Sequence, residues 1–401
     1  MRNLIASTAL LALVACGSPQ GDGNADQAAR VAERNDAAQG DNLADSMASS
    51  DDAKPSDAAL DIADSEERPT MQLQVVLDRR GFGPGVIDGK MGMSTENALS
   101  GFQQTNGLEV TGKHDEATRK ALAEWDDIPA TRVVRIPEEW TQIVFEEIPD
   151  DPAQQAKMER LGYTSLDEKL AERFHTTLGT LKMLNPGGKP AGLEGSVSDN
   201  TADPTGTDEA QKNAGNDGKS DSYFSAGQLI RVPNIGADRI SPGAISDKGW
   251  EQTLAALGVG SDQPKASRIE VSKNAGTLKA FDGKGELVAL FTVTTGSTHD
   301  PLPLGDWGIT GVAHNPPFAY DPSLFWDVPD SEQEQKLPPG PNGPVGVVWI
   351  DLTKEHYGIH GTSEPQTIGR TASHGCVRLT NWDAARLAQM VSSETDVKFV
   401  A

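Results

Sequence analysis

The 401-residue chain has room for two or three domains, and it carries 59 acidic against 35 basic side chains, a formal charge of −24. That balance excludes a nucleic-acid partner, because phosphate contacts need a basic surface, and it is equally poor for docking on anionic lipid through charge. The two cysteines, Cys16 and Cys376, lie far apart in unlike sequence, so each needs its own explanation rather than a shared disulfide. Residues 1–16 (MRNLIASTALLALVAC) hold one basic residue, Arg2, followed by an uncharged run too short to span a bilayer, and they read as an export signal.

The end of that signal, Leu13-Val14-Ala15-Cys16, resembles the lipobox of bacterial lipoproteins. The resemblance implies that the Cys16 thiol receives a diacylglyceryl group, which anchors the chain to a membrane; an ordinary signal peptide with a chance cysteine is the competing reading. Gly17 follows where an aspartate would favour the inner membrane, so the resemblance implies a periplasmic protein, lipid-anchored and sorted to the outer membrane. Residues 17–68 are Ala-, Asp-, Ser-, Asn- and Gln-rich with no aromatic residue. They bury too little apolar surface to offset ordering entropy and are expected to form a disordered acidic tether reaching roughly 40 Å.

Residues 70–125 predict a compact helical unit. Leu73, Val76 and Leu77 fall at helical spacing, Ala98 and Phe102 do so again, and GFGPG between them is a turn. An echo runs through it: Asp88-Gly89-Lys90 precedes Thr95 as Thr111-Gly112-Lys113 precedes Thr118, each a tight loop entering a capped helix. The ID-G, FQ, GL and TG-x-x-D-x-x-T landmarks resemble the three-helix peptidoglycan-binding domain, which implies peptidoglycan as the partner. A helical spacer is the alternative.

Residues 131–236 show extended pieces at Val133–Ile136 and Ile143–Phe145, helices at Leu166–Phe174 and Leu178–Leu184, and a strand at Leu229–Pro233. LAERFHTTLGTLKMLNP followed by AGQLIRVPN resembles a LysM module, a small α+β unit that binds glycan strands. Two features depart from that pattern: the first strand lacks the usual GD turn, and a Gly/Asp/Asn/Ser-rich insertion at 187–222 is expected to be disordered. Residues 237–264 read as a polar connector.

From residue 265 alternation of period two takes over, with strands at 268–271, 276–281, 287–293 and 345–352, predicting an all-β, sandwich-like domain to residue 401. The aromatic and Pro-rich stretch 314–344 reads as a lid or binding loop. The stretch 356–381 (HYGIHGTSEPQTIGRTASHGCVRLTN) then gathers three of the seven histidines around Cys376. A thiol of ordinary pKa is only a few per cent thiolate at pH 7, so a nucleophilic Cys376 needs a base. His360, sixteen residues upstream, is the candidate, with the Gly361 carbonyl as its orienter. The backbone N–H groups of Gly375 and Cys376 suit an oxyanion, and Arg378 suits the turn or a substrate carboxylate. Two readings compete with the nucleophile. Cys376 as a small core residue fits poorly in an exported chain. A zinc site from His356, His360, His374 and Cys376 needs alternate residues of one turn to converge on a single ion.

HG-T followed by S-HGC-VRL, together with LPLGDWGITGVAHNPPFAYDP and PPGPNGPVGVVWIDL, resembles the YkuD-type L,D-transpeptidase catalytic domain over about residues 265–401. The resemblance implies a cysteine-dependent acyltransferase with Cys376 as nucleophile, His360 as base and acid, Gly361 as orienter, and Ser373, His374, Gly375 and Arg378 completing the motif. It implies no cofactor and no metal. The implied substrate is a tetrapeptide stem, attacked at position three with release of D-Ala and passage of the thioester to an amine. A hydrolase of the same stems and a non-catalytic wall-binding lipoprotein are the alternatives.

Overall fold

The computed structural model describes residues 62–193, 222–236, 238–324, 328 and 332–401. The signal, Cys16, most of the expected tether and residues 194–221 of the expected insertion lie outside the described residues.

Three helices open the described chain: α1 (Pro69–Arg79), α2 (Met93–Thr105) and α3 (Glu116–Leu122). Their apolar faces, Leu73, Val76, Leu77, Ala98, Leu99, Phe102 and Leu122, share one core. Two buried glutamines explain the sequence echo. The Gln74 carboxamide accepts from the Asp88 and Gly89 N–H groups and donates to the Lys90 carbonyl and Thr95 hydroxyl. Gln103 does the same with Thr111, Gly112, Lys113 and Thr118. Each loop is therefore pinned by one side chain that satisfies backbone groups no helix or sheet reaches.

The next unit runs strand, helix, helix, strand: β2 (Thr131–Arg135), α4 (Leu166–Arg173), α5 (Leu178–Leu184) and β3 (Leu229–Pro233). The two strands are antiparallel, Thr131 opposite Pro233 and Arg135 opposite Leu229. Ser165 and Thr177 cap the helices, each accepting the N–H three residues on. Ile143–Phe145, expected as an extended piece, falls in no strand. The described parts of the two segments expected to be disordered have defined places here. Arg231, 1% exposed, takes the carbonyls of Ile62 and Ala63 at 3.0 and 2.9 Å and that of Ala191 at 2.8 Å. A buried guanidinium must find acceptors, and these segments supply them.

The C-terminal part is mostly β. Helix α6 (Lys248–Leu257) leads into β4 (Arg268–Ser272), β5 (Thr277–Phe281), β6 (Leu287–Thr292), β7 (Gly305–His314), β8 (Phe318–Tyr320), β9 (Gln335–Leu337), β10 (Val348–Leu352), β11 (Gly358–His360), β12 (Val377–Arg378), helix α7 (Asn381–Met390) and β13 (Asp396–Val400). The strand order is β1-β6-β5-β4-β13-β7-β10-β11-β12, where β1 is Phe82–Gly83. Strand β7 joins the two parts of this sheet, pairing through Gly305–Gly308 with β13 and through Ile309–His314 with β10. One core unites both parts with Trp250, Leu254 and Leu257 of α6 and Trp382, Ala385 and Leu387 of α7. The expected polar connector 237–264 thus contains a core helix.

The helical unit is built into this sheet. Phe82 and Gly83 pair in parallel with Leu290 and Phe291, and Phe281, Leu287 and Leu290 complete the three-helix core. Gly101 faces this seam, where a Cβ would meet the Phe82 ring at 2.7 Å and Leu290 at 3.0 Å. Covering β6 in this way removes an open sheet edge.

The stretch 314–344 is partly a hairpin, with Phe318 opposite Leu337. Its far end is strapped to the segment before α4: Leu161 N–H donates to the Pro339 carbonyl at 2.9 Å and Asn342 N–H to the Leu161 carbonyl at 3.1 Å. That end is fixed wall, not free loop.

Candidate active site

The sheet ends on two short parallel neighbours, β11 and β12, with Ile359 opposite Val377 and His360 opposite Arg378. This pairing brings the His360 and Cys376 segments together, since Cys376 enters β12 directly. The turn before it is held at both ends. Ser373 N–H donates to the Thr295 carbonyl, Ser297 N–H donates to the Ser373 carbonyl, and the Ser373 hydroxyl donates to the Cys376 carbonyl at 2.5 Å. Gly375 has φ +108, and a Cβ there would run into the Tyr357 ring at 2.7 Å. Backbone conformation and close approach therefore both demand glycine.

Cys376 is half-buried, and its thiol lies 3.9 Å from the carbonyl of His356. His356 itself sits at φ +63, an uncommon region for a non-glycine residue, beside the nucleophile candidate. Burial pushes the Cys376 thiol above its usual pKa, against the opposing pull of a hydrogen bond from the Gly358 backbone and the Arg378 charge.

His360 is 5% exposed. Its Nδ1 donates to the Gly361 carbonyl at 2.7 Å, which leaves Nε2 as the lone-pair nitrogen of the neutral ring. The ring lies against Trp349, centroids 5.5 Å apart and planes 23° apart. Burial, with Arg378 second, pushes the imidazole down to about 4, despite the Gly361 hydrogen bond pulling it up. At neutral pH the pair is therefore thiol and neutral imidazole rather than an ion pair. Arg378 Nε is buried with no hydrogen-bond partner among the described residues.

Of the residues singled out in sequence, Cys376, His360, Gly361, Ser373, Gly375 and Arg378 converge here, and half-buried His374 belongs to the same turn. Cys16 lies outside the described residues. Among these, no group of three or more His, Cys, Asp or Glu is arranged to hold a metal ion. Three further residues build the site without having been singled out. Trp349 backs the imidazole and donates through Nε1 to Asp351 at 3.2 Å. Tyr357 covers Gly375. Asn381, at the start of α7, packs its Oδ1 where a Cβ on either Gly346 or Gly361 would sit. Only Trp349 had a signal, as a large aromatic on the same face of its strand as Asp351.

Two segments of the chain match known domain families. Residues 266–399 match the family model described as "L,D-transpeptidase catalytic domain" (YkuD), and residues 68–122 match "Putative peptidoglycan binding domain". The chain is 28% identical over 165 residues to a protein of Bacillus licheniformis named "Putative L,D-transpeptidase YkuD", covering 41% of this chain and 79% of that one. It is 49% identical over 57 residues to a Bacillus subtilis protein of the same name, covering 14% and 35%. Among solved structures, "L,D-transpeptidase from Mycobacterium smegmatis" aligns at 21% identity with a TM-score of 0.27, over 33% of this chain and 58% of that one. Residues 266–399 are therefore a YkuD-type L,D-transpeptidase catalytic domain, preceded at 68–122 by a peptidoglycan-binding domain.

Proposed function

We propose that the protein is a peptidoglycan L,D-transpeptidase in which Cys376 is the nucleophile and His360 its base. The observation that carries this reading is the 2.7 Å bond from His360 Nδ1 to the Gly361 carbonyl, which leaves an unprotonated Nε2 on the strand beside Cys376. The Cys376 sulfur attacks the carbonyl of the third stem residue as its proton passes to His360 Nε2. The Gly361 carbonyl stabilises the imidazolium that forms, in the role a carboxylate or amide takes in other triads. Backbone N–H groups of Gly375 and Cys376 receive the oxyanion. The C–N bond to D-Ala then breaks, and the leaving amine takes the proton from His360. An acceptor amine attacks the thioester next and gives its proton to His360; the C–S bond breaks, and the sulfur takes that proton to become the thiol again. Arg378, beside both groups, holds a carboxylate of the stem through its charge.

The preceding segments serve to raise local substrate concentration. The three-helix domain engages peptidoglycan, and the strand-helix-helix-strand unit is LysM-like. Lipidation at Cys16 keeps the enzyme on the periplasmic face of the outer membrane. The deciding experiment incubates purified protein with a tetrapeptide substrate and identifies products by mass spectrometry. A 3–3 cross-linked dimer with loss of D-Ala is expected; tripeptide alone, even with acceptor amine present, assigns the chain to the hydrolases. Cys376→Ala should give no product while still pelleting with purified sacculi.

A further inference from the structure

We propose that Glu172, in helix α4 outside the catalytic domain, is a positioning residue for His360, acting through Asn381 and Gly361. The inference rests on the acyl-transfer reading above. Glu172 is 8% exposed, and its Oε1 accepts from Asn381 Nδ2 at 2.7 Å. The same Nδ2 donates to the Pro341 carbonyl at 3.0 Å, so both amide protons are used in one direction. That fixes the opposite end: Oδ1 faces the Val347 N–H at 3.3 Å and lies against Gly346 and Gly361, where neither can carry a side chain.

Gly361 is therefore held between β10 and Asn381. Its N–H reaches the Val348 carbonyl at 3.4 Å, a long bond that by itself fixes the peptide weakly. Its carbonyl is the acceptor that sets the His360 tautomer. An asparagine amide has two orientations differing by a half-turn, and they are told apart by acceptors on the Nδ2 side and a donor on the Oδ1 side. Reversal would turn an NH2 group toward the Val347 N–H, leaving two donors facing each other in a buried place. Glu172 supplies the shorter of the two bonds on that side, from a different structural unit, beside the Pro341 carbonyl.

The neighbouring contacts of α4 act in the same direction. Asn342 donates to Glu168 at 2.7 Å and to the Gly162 carbonyl at 2.9 Å, holding the loop that carries Pro341 against the helix. A Cβ at Gly340 would collide with the Leu161 carbonyl. The unit containing α4 is thus part of the wall that orients the base, besides any role in holding glycan.

The test uses full-length wild type, Glu172→Ala, Glu172→Gln and Glu172→Asp. Two readouts are taken: the rate at which a carbapenem acylates Cys376, followed by intact mass, and the His360 imidazole tautomer by 15N NMR. Alanine should slow acylation about tenfold and weaken the Nδ1–H signal. Glutamine keeps an acceptor at the same reach, and it should stay within about threefold of wild type with the tautomer intact. Aspartate keeps the carboxyl group but not the reach, so it should follow alanine, and it decides the matter should Glu172→Ala fail to fold. Wild-type rates with an unchanged Nδ1–H signal in Glu172→Ala or Glu172→Asp would overturn the proposal. Absence of an acyl adduct on the wild type would overturn the acyl-transfer reading instead, and the NMR comparison would still decide the positioning role.

Discussion

Arg386 and Asp78 stand 308 residues apart in sequence and are joined by a 3.0 Å ion pair with both side chains buried. A second guanidinium nitrogen of Arg386 donates to the Asp78 carbonyl at 2.8 Å. His175 completes the junction, its Nδ1 3.6 Å from Asp78 and its ring stacked 4.9 Å from Trp382. Helix α1, the turn after α4 and helix α7 therefore meet at one charged cluster. Helix α7 begins three residues after Arg378, so this cluster anchors the helix that backs the candidate active site.

Removing one partner of a buried pair leaves an uncompensated charge, which costs about 3–5 kcal/mol. Asp78→Ala should lose that much stability in urea denaturation, whereas Asp78→Leu with Arg386→Met should recover most of it. A loss below about 1 kcal/mol for the single variant would show that Asp78 does not compensate the Arg386 charge. Because Leu290 and Phe291 pair with Phe82 and Gly83, deleting residues 68–122 would strip the edge of the catalytic sheet. Wall binding is therefore better tested in the intact chain.

Short-range signals in the sequence carried the helices and the turn at Cys376. The pairs Leu73/Leu77 and Ala98/Phe102 are one helical turn apart, and Ser373-His374-Gly375-Cys376 is a contiguous turn, so neighbours in sequence are neighbours in space. The joints between units were not legible. Phe82–Gly83 lies inside a Gly- and Pro-rich turn and is a strand only because Leu290–Phe291 is beside it. Helix α6 carries Trp250, Leu254 and Leu257 at i, i+4 and i+7, a helical stripe hidden in what reads as a polar connector, but nothing local says that this stripe enters the core of a sheet starting at residue 268. Asn381 reads as an ordinary first residue of a helix. Its role depends on Gly346, Gly361 and Glu172, which reach it from three distant segments.

The neutral Cys376–His360 pair predicts how the thiol reacts. Burial raises the thiol pKa, and it lowers that of the imidazole to about 4. Alkylation of Cys376 by iodoacetamide should be slow at pH 7 and rise about tenfold per pH unit toward pH 9, as the thiolate fraction grows. A thiolate–imidazolium pair would instead give a rate that is already flat above about pH 5. His360→Ala should leave alkylation at pH 9 nearly unchanged yet slow carbapenem acylation by about 10²-fold or more. Equal losses in both reactions would mean that His360 supports the turn rather than moving a proton.

The two pinning glutamines predict an asymmetry between adjacent residues. Gln103 is fully buried and satisfies the N–H groups of Thr111 and Gly112, whereas Gln104 makes only an exposed contact with Lys279. Gln103→Leu leaves those donors unmatched and should cost about 2–3 kcal/mol, with Gln74→Leu similar. Gln104→Ala should stay within about 0.5 kcal/mol of wild type. Thermal melts of the three variants would check this, and comparable losses at Gln103 and Gln104 would contradict the pinning role.

Glu172 gives stability a definite dependence on pH. Burial pushes its carboxyl up from 4.5 to about 7, ahead of the hydrogen bonds from Tyr163 and Asn381 that pull it down; Glu168 pushes it further up and Lys169 opposes. The folded state thus binds a proton that the unfolded chain has released between those values. Its contribution is fully present below pH 4.5 and is lost as pH rises through about 7. Over that window the shift amounts to roughly 3 kcal/mol. Glu172→Gln carries no proton to lose, so its stability relative to wild type should improve by about that amount between pH 4 and pH 8. Urea titrations of both proteins at pH 4, 6 and 8 measure the difference directly. A gap that stays constant across the three would place the Glu172 carboxyl at its ordinary pKa, and it would remove the desolvation that burial beneath Asn381 requires.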